Sequence, residues 1–156
     1  MRFVANSSPL IALAKLGMLS LLGEEVVIPG AVFAELTESR KAYADELGAW
    51  CEGKVIEVRD RKAVDYLALI LDRGEAEVIA LAEELKTPMV IIDDIKARRI
   101  ARLRGLNVVG TLGILLDAKD KGLIREVKPF LDELMTKKIR ISKELYDHAL
   151  ALAHER

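Results

Sequence analysis

The sequence predicts an α/β protein whose central, mostly parallel sheet of about four to five strands carries helices on both faces. Three observations lead there. Short β-rich runs alternate with longer helical stretches along the chain. The runs Val26-Val27-Ile28 and Met89-Val90-Ile91-Ile92 are apolar throughout instead of alternating, as strands covered on both faces are. The chain is 51% hydrophobic yet only 4% aromatic, so its core must be built from Leu, Ile, Val and Ala.

In order, Phe3-Val4-Ala5 reads as a first strand, and Ser8-Pro9 supplies an N-cap and a first-turn proline for a helix to about Lys15. Val26–Ile28 is a second strand, and Pro29-Gly30 opens a helix through Leu36. A charged helix covers Lys41 to Cys51, and Val55–Val58 is a third strand at an edge, flanked by the charges of Glu57 and Arg59. Helices at Lys62–Leu71 and Glu75–Leu85 divide at Arg73-Gly74. Thr87-Pro88 precedes the buried strand Met89–Ile92, and a helix from Asp94 to Arg104 stops at Gly105. Asn107–Val109 is a last strand, Thr111 caps a helix to about Lys121, and amphipathic helices at Val127–Lys137 and Ser142–Glu155 follow. These last helices are expected to pack on the core formed by residues 1–124 as part of one domain.

Composition excludes several function classes. Lys+Arg number 24 and Asp+Glu 25, so bulk charge does not draw this protein to nucleic acid, and any such contact needs a local patch. Cys51 is the sole cysteine, which rules out an internal disulfide framework and a cysteine-rich zinc site. The apolar stretch Pro9 to Leu22 is broken by Lys15 and Gly17, too short and interrupted for a signal peptide or spanning helix, so a soluble cytoplasmic protein is expected. Asn6-Ser7-Ser8-Pro9 lacks the glycines of a phosphate loop, and His148 and His154 sit far from every motif, which argues against a nucleotide-binding fold and a Ser-His-Asp hydrolase.

In a parallel sheet the ligand lies beyond the carboxyl ends of the strands. Asn6 follows the first strand, and Asp93-Asp94 follow the fourth. Paired carboxylates at a buried strand end are costly unless a cation joins them, and a hard divalent ion ligated by oxygen would do so. Asp94 also serves, on the plainer reading, as an N-cap for the next helix. Glu35 lies late in its helix beside Ala31 and Val32 and borders an apolar face. Glu75 and Glu77 open a helix, where acids complement the dipole. Glu75 shares its side with Val78, Ile79 and Ala82, which favours it as the inward carboxylate, with Glu77 the alternative. A basic run, Lys96, Arg98, Arg99, Arg102 and Arg104, begins two residues after the aspartates. Such runs often form a solvated face. Beside a metal site they also suit a phosphodiester substrate.

Together the segments Asn6-Ser-Ser-Pro-Leu-Ile-Ala-Leu-Ala-Lys-Leu-Gly17, Ile28-Pro-Gly-Ala-Val-Phe-Ala-Glu-Leu36, Gly74-Glu-Ala-Glu-Val-Ile-Ala-Leu-Ala82, Val90-Ile-Ile-Asp-Asp-Ile-Lys-Ala-Arg98 and Arg104 to Lys119 resemble the PIN-domain nucleases, the fold of the VapC-type toxins. The resemblance implies a three-layer sandwich in which acids hold Mg2+ or Mn2+ and RNA is hydrolysed. By position it makes Glu35 the second acid, Glu75 or Glu77 the third, and Asp94 or Asp93 the fourth. It places Ser8 beside the metal water or phosphate and Thr111 on the same rim. Lys96, Arg98 and Arg102 then become candidate RNA contacts. It further implies a toxin with a cognate antitoxin, in a homodimer. The departure is Asn6, which stands where the family has its first acid. An amide can offer a carbonyl oxygen to a cation but supplies no negative charge and cannot act as a base.

Overall fold

The computed structural model describes residues 2–38 and 43–156. Its sheet has the strands β1 (Phe3–Ala5), β2 (Val26–Val27), β3 (Met89–Ile91) and β4 (Asn107–Val109), all parallel, in the order β2-β1-β3-β4. Val4 sits at the centre, beside Val27 on one side and Val90 on the other. The helices among the described residues are α1 (Ser7–Lys15), α2 (Gly30–Leu36), α3 (Ala44–Trp50), α4 (Arg61–Leu67), α5 (Arg73–Glu84), α6 (Ile95–Leu103), α7 (Thr111–Asp120), α8 (Lys128–Thr136) and α9 (Lys143–Leu152). They flank the sheet as the outer layers of an α/β sandwich.

The strand order creates the one feature that matters most for the site. The connection from β1 through α1 runs outward to β2, while that from β3 through α6 runs the opposite way to β4. The chain therefore parts between β1 and β3, and a crevice opens at their carboxyl ends. Asn6 leaves β1 at that point, and Asp93-Asp94 follow β3.

Two apolar clusters hold the layers. The larger gathers Val4, Ile28, Ile79, Leu81 and Ile92 around the sheet. The second joins Leu131 and Leu134 of α8 and Ala149 and Leu150 of α9 to Leu115 of α7 and Ala12 of α1.

The local expectations hold for most elements, with informative exceptions. Val55–Val58 is not a strand: only Val55 bridges to Ile28, and the Ile56 amide makes the last sheet-like bond, to the Ile28 carbonyl at 2.9 Å. Beyond it, the amides of Arg59 and Asp60 donate to the Glu84 carboxylate, which draws the chain off the sheet edge. Helix α1 starts at Ser7 and not after Ser8, because the Asn6 amide still bonds the Ile91 carbonyl and the turn follows at once. Thr111 is the first residue of α7 and not its cap. Leu19–Leu22 forms a 3-10 turn that the sequence did not announce, and α4 ends at Leu67, short of Leu71. Of the expected helix from Lys41, Ala44–Trp50 is seen, and residues 41 and 42 lie outside those described.

Glu155 fastens the C-terminal helices. Its carboxylate accepts from Lys119 Nζ at 2.9 Å and from the amides of Val127 and Lys128 at 2.8 and 3.0 Å, at the start of α8. Burial opposes its charge, but the Lys119 bond and the two amides outweigh burial and hold the carboxyl below its ordinary value of 4.5. A lowered folded-state pKa contributes stability above the ordinary value and loses it as pH falls through the lowered one. Glu155→Ala is therefore expected to cost about 1–3 kcal/mol at pH 7 by urea unfolding. That deficit should shrink as the pH is taken below 4.5.

Candidate active site

The crevice floor is built by Asn6. The residue is 5% exposed, and its side-chain amide has no hydrogen-bond partner among the described residues. Its Oδ1 lies 3.4 Å from the place a Cβ on Gly74 would take. A Cβ there would also overlap Glu35 Oε1, so the missing side chain at Gly74 is what lets the Glu35 carboxylate settle beside Asn6. Ser7 Oγ donates to Glu35 Oε2 at 2.8 Å and orients it from the other side. Helix α2 thus delivers Glu35 across the first turn of α5.

Glu75 enters from α5 itself. It belongs to a capping box: Asp72 Oδ1 accepts the Glu75 amide at 2.8 Å, and Glu75 Oε1 accepts the Asp72 amide at 3.1 Å. Burial is the main cause that raises the Glu75 carboxyl above its ordinary range; the Asp72 amide partly offsets this, and the charges of Asp72, Asp94 and Glu35 add to the rise.

Glu77 belongs elsewhere. Only 3% exposed, it accepts the Ala31 amide at 2.9 Å on one oxygen and pairs with Arg61 at 2.9 Å through the other. It holds the start of α2 against α5 and is not one of the clustered acids.

The two aspartates diverge. Asp94 is exposed and caps α6, with Oδ2 accepting the Ala97 amide at 2.9 Å. Asp93 turns to the far side, where its two oxygens take the Thr111 amide at 2.7 Å and the Thr111 hydroxyl at 2.6 Å. It caps α7 from across the sheet edge. Thr111 is buried and its hydroxyl is committed to that bond.

The basic run also divides. Lys96 and Arg102 are exposed, as is Ser8 on α1. Arg98 folds inward, and its Nη1 donates to the Ile92 carbonyl at 2.8 Å. Burial first, and the charge of Arg102 second, lower its proton affinity, while Asp93 partly restores it.

The resulting cluster is Glu35, Glu75 and Asp94, with the Asn6 carbonyl at its base. None of the three carboxylates forms an ion pair among the described residues. Uncompensated carboxylates beside an unpartnered amide oxygen are a donor set that suits a hard, oxygen-preferring divalent cation. As placed, no three acidic, histidine or cysteine side chains among the described residues stand close enough to hold one. The donors fit by chemistry, and closing on an ion would require the buried Glu75, the partly buried Glu35 and the exposed Asp94 side chains to turn towards one another.

Ser7, Gly74 and Asp72 are the participants that the sequence analysis passed over. Ser7 shares a helical face with buried Leu10 and Ala14, which was a readable signal, and Asp72 with Glu75 has the spacing of a capping box. Nothing local marks Gly74.

A family model described as a PIN domain matches residues 2–155. No curated protein and no solved structure matches the chain.

The crowding of charge has a measurable consequence. A carboxyl with a raised folded-state pKa favours folding below its unfolded pKa, and that favour is lost as pH rises through the raised value. Glu75→Gln keeps an oxygen for the Asp72 amide and removes the charge. The variant is expected to unfold at a higher temperature than the parent at pH 7, and thermal melts at pH 4 should show the gain gone.

Proposed function

The chain belongs to the PIN-domain family, and from that premise we propose that it is a metal-dependent endoribonuclease. Its site supports the reading chiefly through one feature: the Asn6 side-chain amide, without a hydrogen-bond partner among the described residues, near Glu35, Glu75 and Asp94, which form no ion pair among those residues, in the crevice between β1 and β3. These residues would hold Mg2+ or Mn2+. When bound, the ion would polarise the scissile phosphate and lower the pKa of the attacking water.

The remaining roles fall to the chain itself. Ser7 orients the Glu35 carboxylate by its 2.8 Å bond. Exposed Lys96 in the first turn of α6 and exposed Arg102 in its last turn would hold phosphates that flank the cleaved bond. The proposal extends, on the resemblance to VapC-type toxins, to the toxin of a toxin–antitoxin pair that acts as a homodimer and is restrained by a cognate antitoxin.

A second reading is favoured by one residue. Asn6 removes a negative charge and a potential base from the position nearest the crevice floor. On this reading the chain is a catalytically weakened PIN module that binds RNA or a partner protein.

Substitution separates the two. Calorimetric titration of Mn2+ into Asn6→Asp is expected to show affinity about tenfold or more above the parent, since added ligand charge tightens oxygen sites. Asn6→Asp should also cleave single-stranded RNA in a metal-dependent assay. Glu35→Ala with Asp94→Asn, the latter retaining the α6 cap, should abolish both. Binding without cleavage by Asn6→Asp would favour the weakened module, and an absence of Mn2+ binding in every variant would remove the metal reading.

A further inference from the structure

On the far side of Asp93 from the acidic cluster, a cavity of about 320 Å3 opens between β4, α6, α7 and α9. Its polar wall is Asp93 and Arg98, and its apolar sides include Ile95, Leu112 and Leu145. Ile95 is 76% exposed and Leu145 46%, so these sides reach the surface with nothing covering them.

Arg98 is the informative residue. Its guanidinium is half-buried, forms no ion pair among the described residues, and spends one donor, Nη1, on the Ile92 carbonyl. A guanidinium has five N–H donors in a fixed plane, so several remain for a ligand. Asp93 uses each oxygen once, on Thr111, and each retains accepting capacity. Gly110 lines the same cavity, and a Cβ there would lie 2.6 Å from Arg98 Nη1 and 2.7 Å from Asp93 Oδ1. The absent side chain keeps donor and acceptor side by side and open.

A phosphate would meet Arg98 here but also the Asp93 carboxylate, with apolar carbon on its remaining sides. A flat neutral ring satisfies all of these at once, with its faces against Ile95 and Leu145. It must carry acceptors for Arg98 and adjacent donors for Asp93. Among nucleobases, guanine offers the acceptors O6 and N7 next to N–H donors on its pairing edge. Splayed single-stranded bases are read in this way, by stacking and by their edges.

We propose that this cavity is a guanine-binding subsite, which seats the base of a nucleotide next to the bond to be cut. The inference deepens the ribonuclease reading and rests on it for the word substrate. Asp93 lines the cavity and Asp94 follows it in the chain, so the cavity and the acidic residues meet at the end of β3, and a base seated here would direct its phosphate towards them. The site would make cleavage selective for a guanosine flanking the scissile phosphate.

The test is solution NMR on the labelled full chain, without metal, titrated with guanosine 5′-monophosphate, adenosine 5′-monophosphate or inorganic phosphate. The guanine nucleotide is expected to shift the Gly110 and Thr111 amides and the Arg98 Nε–H saturably, and to bind about tenfold more tightly than the adenine nucleotide. Phosphate alone should leave these signals in place. Arg98→Lys should erase the preference, and Leu145→Asp, on an exposed position that leaves folding intact, should weaken the guanine nucleotide several-fold. Equal response to both nucleotides, the same shifts from phosphate, or a preference that survives Arg98→Lys would overturn the proposal. Because no metal or cleavage enters the measurement, guanine binding with an inactive Asn6→Asp variant would sink the nuclease reading and spare the subsite. The reverse pattern would do the opposite.

Discussion

Glu35 reaches the crevice because α2 and α5 come together where one residue has no side chain. Gly74 removes the Cβ that would overlap the Glu35 carboxylate, and Glu77, three residues on in the same helix, clamps the amide of Ala31 and the guanidinium of Arg61. Burying the Glu77 carboxylate costs desolvation that its hydrogen bonds and the exposed Arg61 must offset. In return it ties the start of α2 to α5, the helices that carry Glu35 and Glu75.

Bringing the acids together works against folding. Burial first, and the charges of Asp72, Asp94 and Glu35 after it, raise the Glu75 carboxyl above its ordinary range, and no ion pair among the described residues relieves it. Proteins retain such strain where function needs it. The other carboxylates show the contrast: Glu77 and Glu155 each pair with a cation and accept backbone amides, Asp93 accepts the Thr111 amide and hydroxyl, and each ties one helix start to another element. The same residue type therefore serves two purposes, distinguished by whether backbone amides and cations saturate it.

The division extends to the basic helix. Arg98, turned onto the Ile92 carbonyl, supports the end of β3 and faces a cavity, while Lys96 and Arg102 project outward. An even band of positive charge would bind any polyanion. One inward guanidinium beside a carboxylate imposes a geometric demand on what can sit there.

Sequence by itself determined the parallel α/β architecture, since uninterrupted aliphatic runs such as Met89–Ile92 are stable only when covered on both faces. It also placed Asn6, Glu35, Glu75 and Asp94 at the carboxyl ends of strands or on the helices that follow, because periodicity tells which residues share a side. It could not choose between Glu75 and Glu77, or tell Asp93 from Asp94, and it made Val55–Val58 a strand. Each of those depended on a partner distant in the chain: Ala31 and Arg61 for Glu77, Thr111 for Asp93, Glu84 for the backbone past Ile56. Local pattern fixes the face on which a side chain stands. Only the packed structure decides which amide, cation or empty space that face meets, because those partners are brought close by the topology of the sheet and not by neighbouring residues.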